Sequence, residues 1–314
     1  MTTLADQQTF TTMVARLSRL SVDKHFDAYA DVDWDAPDMA LDPADPRLEL
    51  PPFDPLARTE WYRSQPPEVR ARIGLYRYGA CMKIGWHFEN LLQRGLLGYA
   101  SRLPNGALEF RYAHHELIEE SQHTLMFQEF VNRSGLPIEG LGRGMRAIAP
   151  LVVPLGRWFP GLFFFFVLGG EDPIDHVQRQ TLARGTELHP LVERIIRIHV
   201  AEEARHLSFA RHYLRRRIPR LGWIRRQIIG IAIPIILGVM ARMMLAPSRA
   251  MIRHFQIPRS VVDEAYRHDP IARATTQDSL AKVRNLATEL RLVNRVNWLI
   301  WKAFKIWPSA AEPA

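Results

Sequence analysis

His199-Val-Ala-Glu-Glu203-Ala-Arg-His206 reads as two turns of amphipathic helix with three metal-ligating side chains in one stripe. His199, Glu203 and His206 stand at i, i+4 and i+7, positions that an α-helix brings to a single face. Val192, Ile195, Ile196 and Ala210 continue the stripe, which marks it as the buried one. Arg194, Arg197, Glu202 and Arg205 fall on the opposite side and are expected to face solvent. Each buried ionisable group costs on the order of several kcal/mol unless it is paired or bound to metal. A hydrogen-bonded His–Glu core cluster would account for one such helix, so the rest of the chain decides.

A second helix repeats the arrangement. In Glu116-Leu-Ile-Glu-Glu120-Ser-Gln-His123, Glu120 and His123 are three apart, and Ala113, Leu117, Phe127 and Phe130 extend their face. Two Glu-x-x-His helices, with one inward glutamate from each of two further helices, form the di-iron carboxylate bundle. Both lone glutamates are present. Glu89 follows Ile84-Gly85-Trp86-His87-Phe88, and Glu171 closes the apolar run Phe163-Phe164-Phe165-Phe166-Val167-Leu168-Gly169-Gly170. Taken alone, Glu171 reads equally as a solvent-facing charge at a helix end. The chain order Glu, Glu-x-x-His, Glu, Glu-x-x-His favours a ligand. Carboxylates and imidazoles without thiolate suit iron or manganese. Four carboxylates also offset the charge of two divalent ions, so the centre can be buried.

This order, with the extra His199, resembles the p-aminobenzoate N-oxygenase (AurF-like) family of di-iron proteins within the ferritin-like superfamily. The resemblance covers about Glu68–Tyr213. It implies a seven-ligand centre of Glu89, Glu120, His123, Glu171, His199, Glu203 and His206, in which His199 is the ligand that six-ligand ferritin-like proteins lack. It further implies two iron ions, O2 as co-substrate and a peroxo-di-iron(III) species that passes oxygen to an arylamine nitrogen. No catalytic residue beyond the ligands is implied. Gly169, Gly170 and Pro173 are expected to distort the helix at Glu171, which leaves Asp172 or Asp175 as alternative ligands. Glu116 is either a carboxylate that holds a ligand histidine or a core residue. Phe163–Phe166, Trp86, Phe88 and Phe127 line a substrate cavity or simply pack the core.

Composition sets the frame. The chain has 314 residues, 47% hydrophobic and 24% charged, which excludes wholesale disorder. A single cysteine, Cys81, excludes a disulfide framework or a thiolate metal site. The net charge is +8, yet only five of the 41 basic residues are lysine and they are spread along the chain, so nucleic acid is not the expected partner. The polar Thr2–Thr12 start does not read as a signal peptide, and a cytoplasmic location is the expectation. Gly140-Leu-Gly-Arg-Gly144 lacks a preceding strand and is no dinucleotide loop.

The expected fold is all-α: a ferritin-like di-iron four-helix bundle core, additional C-terminal helices and an extended Pro/Asp-rich N-terminal segment. Residues 1–66 should wrap the body, with a helix at about Gln7–Leu20. Residues 67–314 should form one helical domain, its ligand bundle at 68–217 and its C-terminal helices at 221–306. Those C-terminal helices are expected at about Leu221–Leu245, Val261–Arg267 and Ala274–Ile306. Two apolar runs, Trp158–Gly170 and Ile228–Ala241, span 13 and 14 residues between charges. A bilayer core needs about 20, so both read as buried helices, with membrane-surface contact through the second as the residual alternative. The expected partners are a small-molecule substrate such as an aromatic amine and an external electron donor; a homodimer is compatible. Two other readings stand beside the N-oxygenase. One is a hydroxylase or desaturase acting on a lipid-like substrate. The other is a non-catalytic iron-binding or membrane-surface protein.

Overall fold

The computed structural model describes residues 4–183 and 187–308, and no strand occurs among them. Helix α1 spans Leu4–Asp23, and α2 (Pro67–Ala100) and α3 (Leu108–Arg133) pair closely. Helices α4 (Pro160–Ala183) and α5 (Pro190–Arg217) form the second pair of the bundle. The apolar α6 (Trp223–Leu245) covers α4, and α7 (Pro270–Ser279), α8 (Ala281–Glu289) and α9 (Arg295–Phe304) complete the C-terminal third. At 1.5 Å per residue the 34-residue α2 is about 51 Å long.

Small residues let the helices close on one another. A side chain at Gly170 would collide with the Phe88 ring, so α4 reaches α2 beside both Glu171 and Glu89. Residues 24–66 run over the bundle with only short helical turns. They bury Ala28, Val32, Trp34, Leu48 and Leu56, and the Leu48 carbonyl lies directly against Gly74 of α2.

Pro173 lies inside a helix that continues to Ala183. Two expectations need correction. The expected Ala274–Ile306 helix is three helices. Arg291 adopts φ 52°, and Asn294 opens α9 by accepting hydrogen bonds from the Val296 and Asn297 amides. Asn297 Oδ1 accepts the Asn294 amide in return at 3.0 Å, a reciprocal cap that starts a new helix. The expected Val261–Arg267 helix is a short helix, Arg259–Asp263, followed by a wider π turn at Glu264–His268. Two short helices not anticipated, Arg143–Ile148 and Val153–Trp158, lead into α4.

Both apolar runs are helical. Phe163–Phe166 are buried; the Phe164 ring packs with Phe163, Tyr99, Phe209 and Tyr213, and Phe166 stacks on Phe88. The segment Trp223–His254 is the one stretch among the described residues long and apolar enough to cross a membrane, and half of its most apolar window is buried inside the protein.

Candidate metal centre

Each of the four bundle helices delivers its part of the set: Glu89 from α2, Glu120 and His123 from α3, Glu171 from α4, and His199, Glu203 and His206 from α5. All seven are at most 2% exposed. Their donor atoms converge in three overlapping groups: Glu89 with His123 and His199, Glu120 with His123 and Glu203, and Glu171 with His199 and Glu203. Within each group the atoms lie inside 4.8 Å of one another.

Glu120 and Glu203 occupy the middle. His206 Nδ1 lies 3.1 Å from Glu120 and 3.0 Å from Glu203, and His123 Nδ1 lies 3.3 Å and 3.7 Å from the same pair. His199 Nε2 faces Glu89, Glu171 and Glu203 at 3.7, 3.9 and 3.9 Å. Asp172 and Asp175 turn elsewhere, Asp172 to Arg211 and Asp175 to Arg179 at 2.7 Å and Lys282 at 3.5 Å. The suggested substitution of either for Glu171 is therefore not what the geometry supports.

Two residues of the site went unrecognised in the sequence. Glu202 accepts a hydrogen bond from His123 Nε2 at 2.9 Å, and Glu119 accepts one from His206 Nε2 at 2.7 Å. His123 and His206 are thus each held from behind by the other's helix, with Nδ1 turned to the centre. Arg205 binds both supports, Glu119 at 2.9 Å and Glu202 at 3.4 Å. Glu202 and Arg205 are 0% and 7% exposed, against expectation, while Arg197 on the same side of the helix is exposed. The face is covered by α1 and the segment after it, whose Phe26 amide donates to Glu202 at 3.2 Å. The signal was in the sequence as Glu-Glu-x-x-His, occurring once in α3 and once in α5. Glu116 does not hold a histidine; Glu119 takes that part.

Electrostatics in the metal-free protein describe a site short of positive charge. Burial, then the charges of Glu120 and Glu171, hold the Glu89 carboxyl well above the usual carboxylate range. Burial and the charge of Glu203 do the same to Glu171. Burial opposes protonation of His123, but hydrogen bonds to Glu120 and Glu202 prevail and lift it to about 10. His206 is likewise raised against burial by Glu203 and Glu120. His199 is the exception: burial, then the charge of His123, keep it neutral. The buried oxygens Glu89 Oε2 and Glu203 Oε2 have no hydrogen-bond partner. An unpaired buried carboxylate oxygen is costly, and a cation between these groups would satisfy both. The donor set fits a pair of divalent ions.

The model of the family described as p-aminobenzoate N-oxygenase AurF matches residues 7–291. The chain belongs to the AurF family. AurF-family membership makes it an oxygenase-class protein with a di-iron centre. Similar proteins are the uncharacterized Mb0909 of Mycobacterium bovis and Rv0885 of Mycobacterium tuberculosis. Each is 43% identical over 303 residues, covering 96% of this chain and 89% of the relative. No solved structure gives a significant match.

One side of the AurF-type centre opens on a small cavity of about 30 Å3. Glu89, Glu171 and His199 form one wall, and Met82, Phe88, Phe127, Ile174 and Met244 form most of the rest. Trp86, expected near it, instead packs under the Lys83 ammonium at 4.2 Å. On the opposite side Glu116 is buried next to Tyr112, and burial pushes its carboxyl up to about 8.

Proposed function

We propose that the chain is an O2-dependent oxygenase that binds two irons through Glu89, Glu120, His123, Glu171, His199, Glu203 and His206. It transfers oxygen to the nitrogen of an uncharged aromatic amine or a similar electron-rich molecule. The observation that carries this reading is the placement of His199. It is a neutral donor on the cavity wall, held at Nδ1 by Gln178 at 2.8 Å, with Nε2 turned to three carboxylates.

Bound in its reduced form, the iron pair would supply two of the four electrons that O2 takes up, the substrate nitrogen the other two as it is oxygenated, and an external donor would re-reduce the irons. The protein's own part is positional. Glu120 and Glu203 stand in the middle of the donor set and would hold the metal from there, while Glu119 and Glu202 fix the imidazoles of His206 and His123. Phe88 and Phe127 exclude water from the cavity. Its lining holds no lysine or arginine, so a substrate carboxylate would find no partner there. Flexible Met82 and Met244 are the side chains that yield to admit a ring larger than the empty space.

The test is elemental analysis after iron-supplemented expression, followed by reduction, O2 exposure and mass spectrometry with aniline and p-aminobenzoate. About two irons per chain and a preference for oxygenated aniline are expected. One zinc, or no oxygenated amine from either compound, would sink the proposal. Hydroxylation or desaturation of a long apolar probe in the same assay would favour a lipid-like substrate instead.

A further inference from the structure

Three stretches of the chain contain no aspartate or glutamate at all: 140–170, 204–262 and 290–311. Together they carry nineteen of the 41 basic residues, of which Arg205, Arg211, Arg215, Arg216, Arg253 and Arg259 pair with carboxylates from other parts of the chain. They also supply the most exposed apolar side chains. On α6, Ile224, Ile228, Ile231 and Ile235 recur along one side of the helix and all lie outward, Ile224 at 67% exposure, and Trp223 precedes them at 74%. On α9, Val296 and Leu299 are outward, Leu299 at 70%.

These stripes adjoin. The Asn297 side-chain amide stands against Gly230 and the Phe304 ring against Gly238, so α6 and α9 lie side by side. The start of α4 sits at the Trp223 end, where Arg225 covers the Phe159 ring at 6.0 Å. Trp158 is exposed there, flanked by Arg102 and Arg157 at 4.9 and 5.0 Å. Along the next side of α9 a depression of about 610 Å3 is lined by Arg273, Lys302, Lys305, Trp298 and Trp307, with no carboxylate among its lining residues.

Isolated exposed apolar residues are ordinary, but a continuous stripe on adjacent helices marks an interaction face. Its charge narrows the partner. A symmetric dimer through this face would set arginines against arginines, because an isologous contact joins a patch to itself. A row of isoleucines offers nothing to a phosphate–sugar backbone. Apolar residues and tryptophans with arginine and lysine at the edge match an anionic lipid surface. The inner side of α6 is packed on α4, so the helix lies along a membrane rather than across it.

We propose that this face seats the protein on an anionic phospholipid bilayer, with the isoleucine stripe at the headgroup–acyl boundary and the α9 depression over a lipid phosphate. The proposal is independent of the metal centre and of the substrate.

The test is co-sedimentation of the full-length chain with vesicles of phosphatidylcholine alone or mixed with phosphatidylglycerol. Binding to the mixed vesicles is expected, weakened by salt, with little binding to phosphatidylcholine. Tryptophan emission should shift to the blue on binding, and less so in Trp223→Phe. The double variant Ile224→Glu, Leu299→Glu should partition at least tenfold less while keeping its iron content and helical circular dichroism. Should that variant misfold, the contrast between the two vesicle types and the Trp223→Phe shift still decide. Absence of binding to either vesicle, or unchanged binding by the folded variant, overturns the proposal. So does a stable dimer that Ile224→Glu dissociates in the absence of lipid, because the face would then be a contact between copies. A soluble acidic protein that competes stoichiometrically while vesicles do not bind would also overturn it.

Discussion

Helices α3 and α5 carry the same device in opposite directions. Position by position, Glu119, Glu120 and His123 correspond to Glu202, Glu203 and His206, and each histidine is braced by the other helix's outer glutamate. The equivalence fails at one place, four residues before the central glutamate, where α3 has Glu116 and α5 has His199. Glu116 is buried against Tyr112 on a closed side, and His199 stands on the cavity. The two halves therefore contribute matched donor groups to the proposed centre, and they differ at the one position where His199 lines the cavity and Glu116 does not.

The severest way to break this symmetry is to remove a shared residue. Glu203→Ala should abolish iron loading at one or both positions, because Glu203 faces His123, His199 and His206. Iron analysis beside circular dichroism reads the effect, and full iron content would show that α5 is not part of the site.

Exchanging the non-equivalent positions sharpens the contrast. His199→Ala should keep most of the iron yet lower oxygenated product at least tenfold, with altered absorption kinetics when the reduced protein meets O2. Glu116→Gln should leave both near wild type. Equal losses in the two variants would mean that the sides are not functionally distinct.

A smaller effect is expected at the braces. Glu119→Gln and Glu202→Gln should each weaken metal affinity by roughly 10- to 100-fold, the usual cost of losing a partner behind a ligand histidine. Chelator competition measures it. A large loss in only one of the pair would reveal unequal halves even where the motif repeats.

The smallest effect concerns Glu116 in the metal-free protein. Its folded pKa of about 8 lies above the ordinary carboxyl value of about 4.3, so the folded state holds the proton more tightly than the unfolded chain. That contribution is fully present below about pH 4 and is lost as pH rises toward 8. Urea unfolding at pH 5 and pH 8 should show less loss of stability for Glu116→Gln than for wild type, by on the order of a few kcal/mol. Parallel curves for the two proteins would contradict the buried, protonated state.

The bundle and its converging side chains were legible because helical spacing projects His199, Glu203 and His206 onto one line. The braces were not, because a one-sided helix was assumed. Helix α5 is covered on the Glu202 side as well, by a segment more than 160 residues away in sequence, whose Phe26 amide reaches Glu202. Periodicity within one helix says nothing of a distant chain laid across it. The division of the C-terminal helices was missed for a local reason, since the Asn294–Asn297 cap is a weaker signal than Gly or Pro. The exposed isoleucine stripe shares its helix with a buried one, and a run apolar on both sides has no period from which to tell them apart.

The N-terminal segment has a consequence for anyone seeking to shorten or transplant this centre. Besides the Phe26 contact, the Ala28 amide donates to Gln122 at 2.9 Å, directly beside His123 on α3. A fragment cut to α2, α3, α4 and α5 would contain all seven candidate ligands and would still leave Glu202 without its Phe26 partner. The centre is thus not a portable cassette; its smallest transferable unit begins before residue 26.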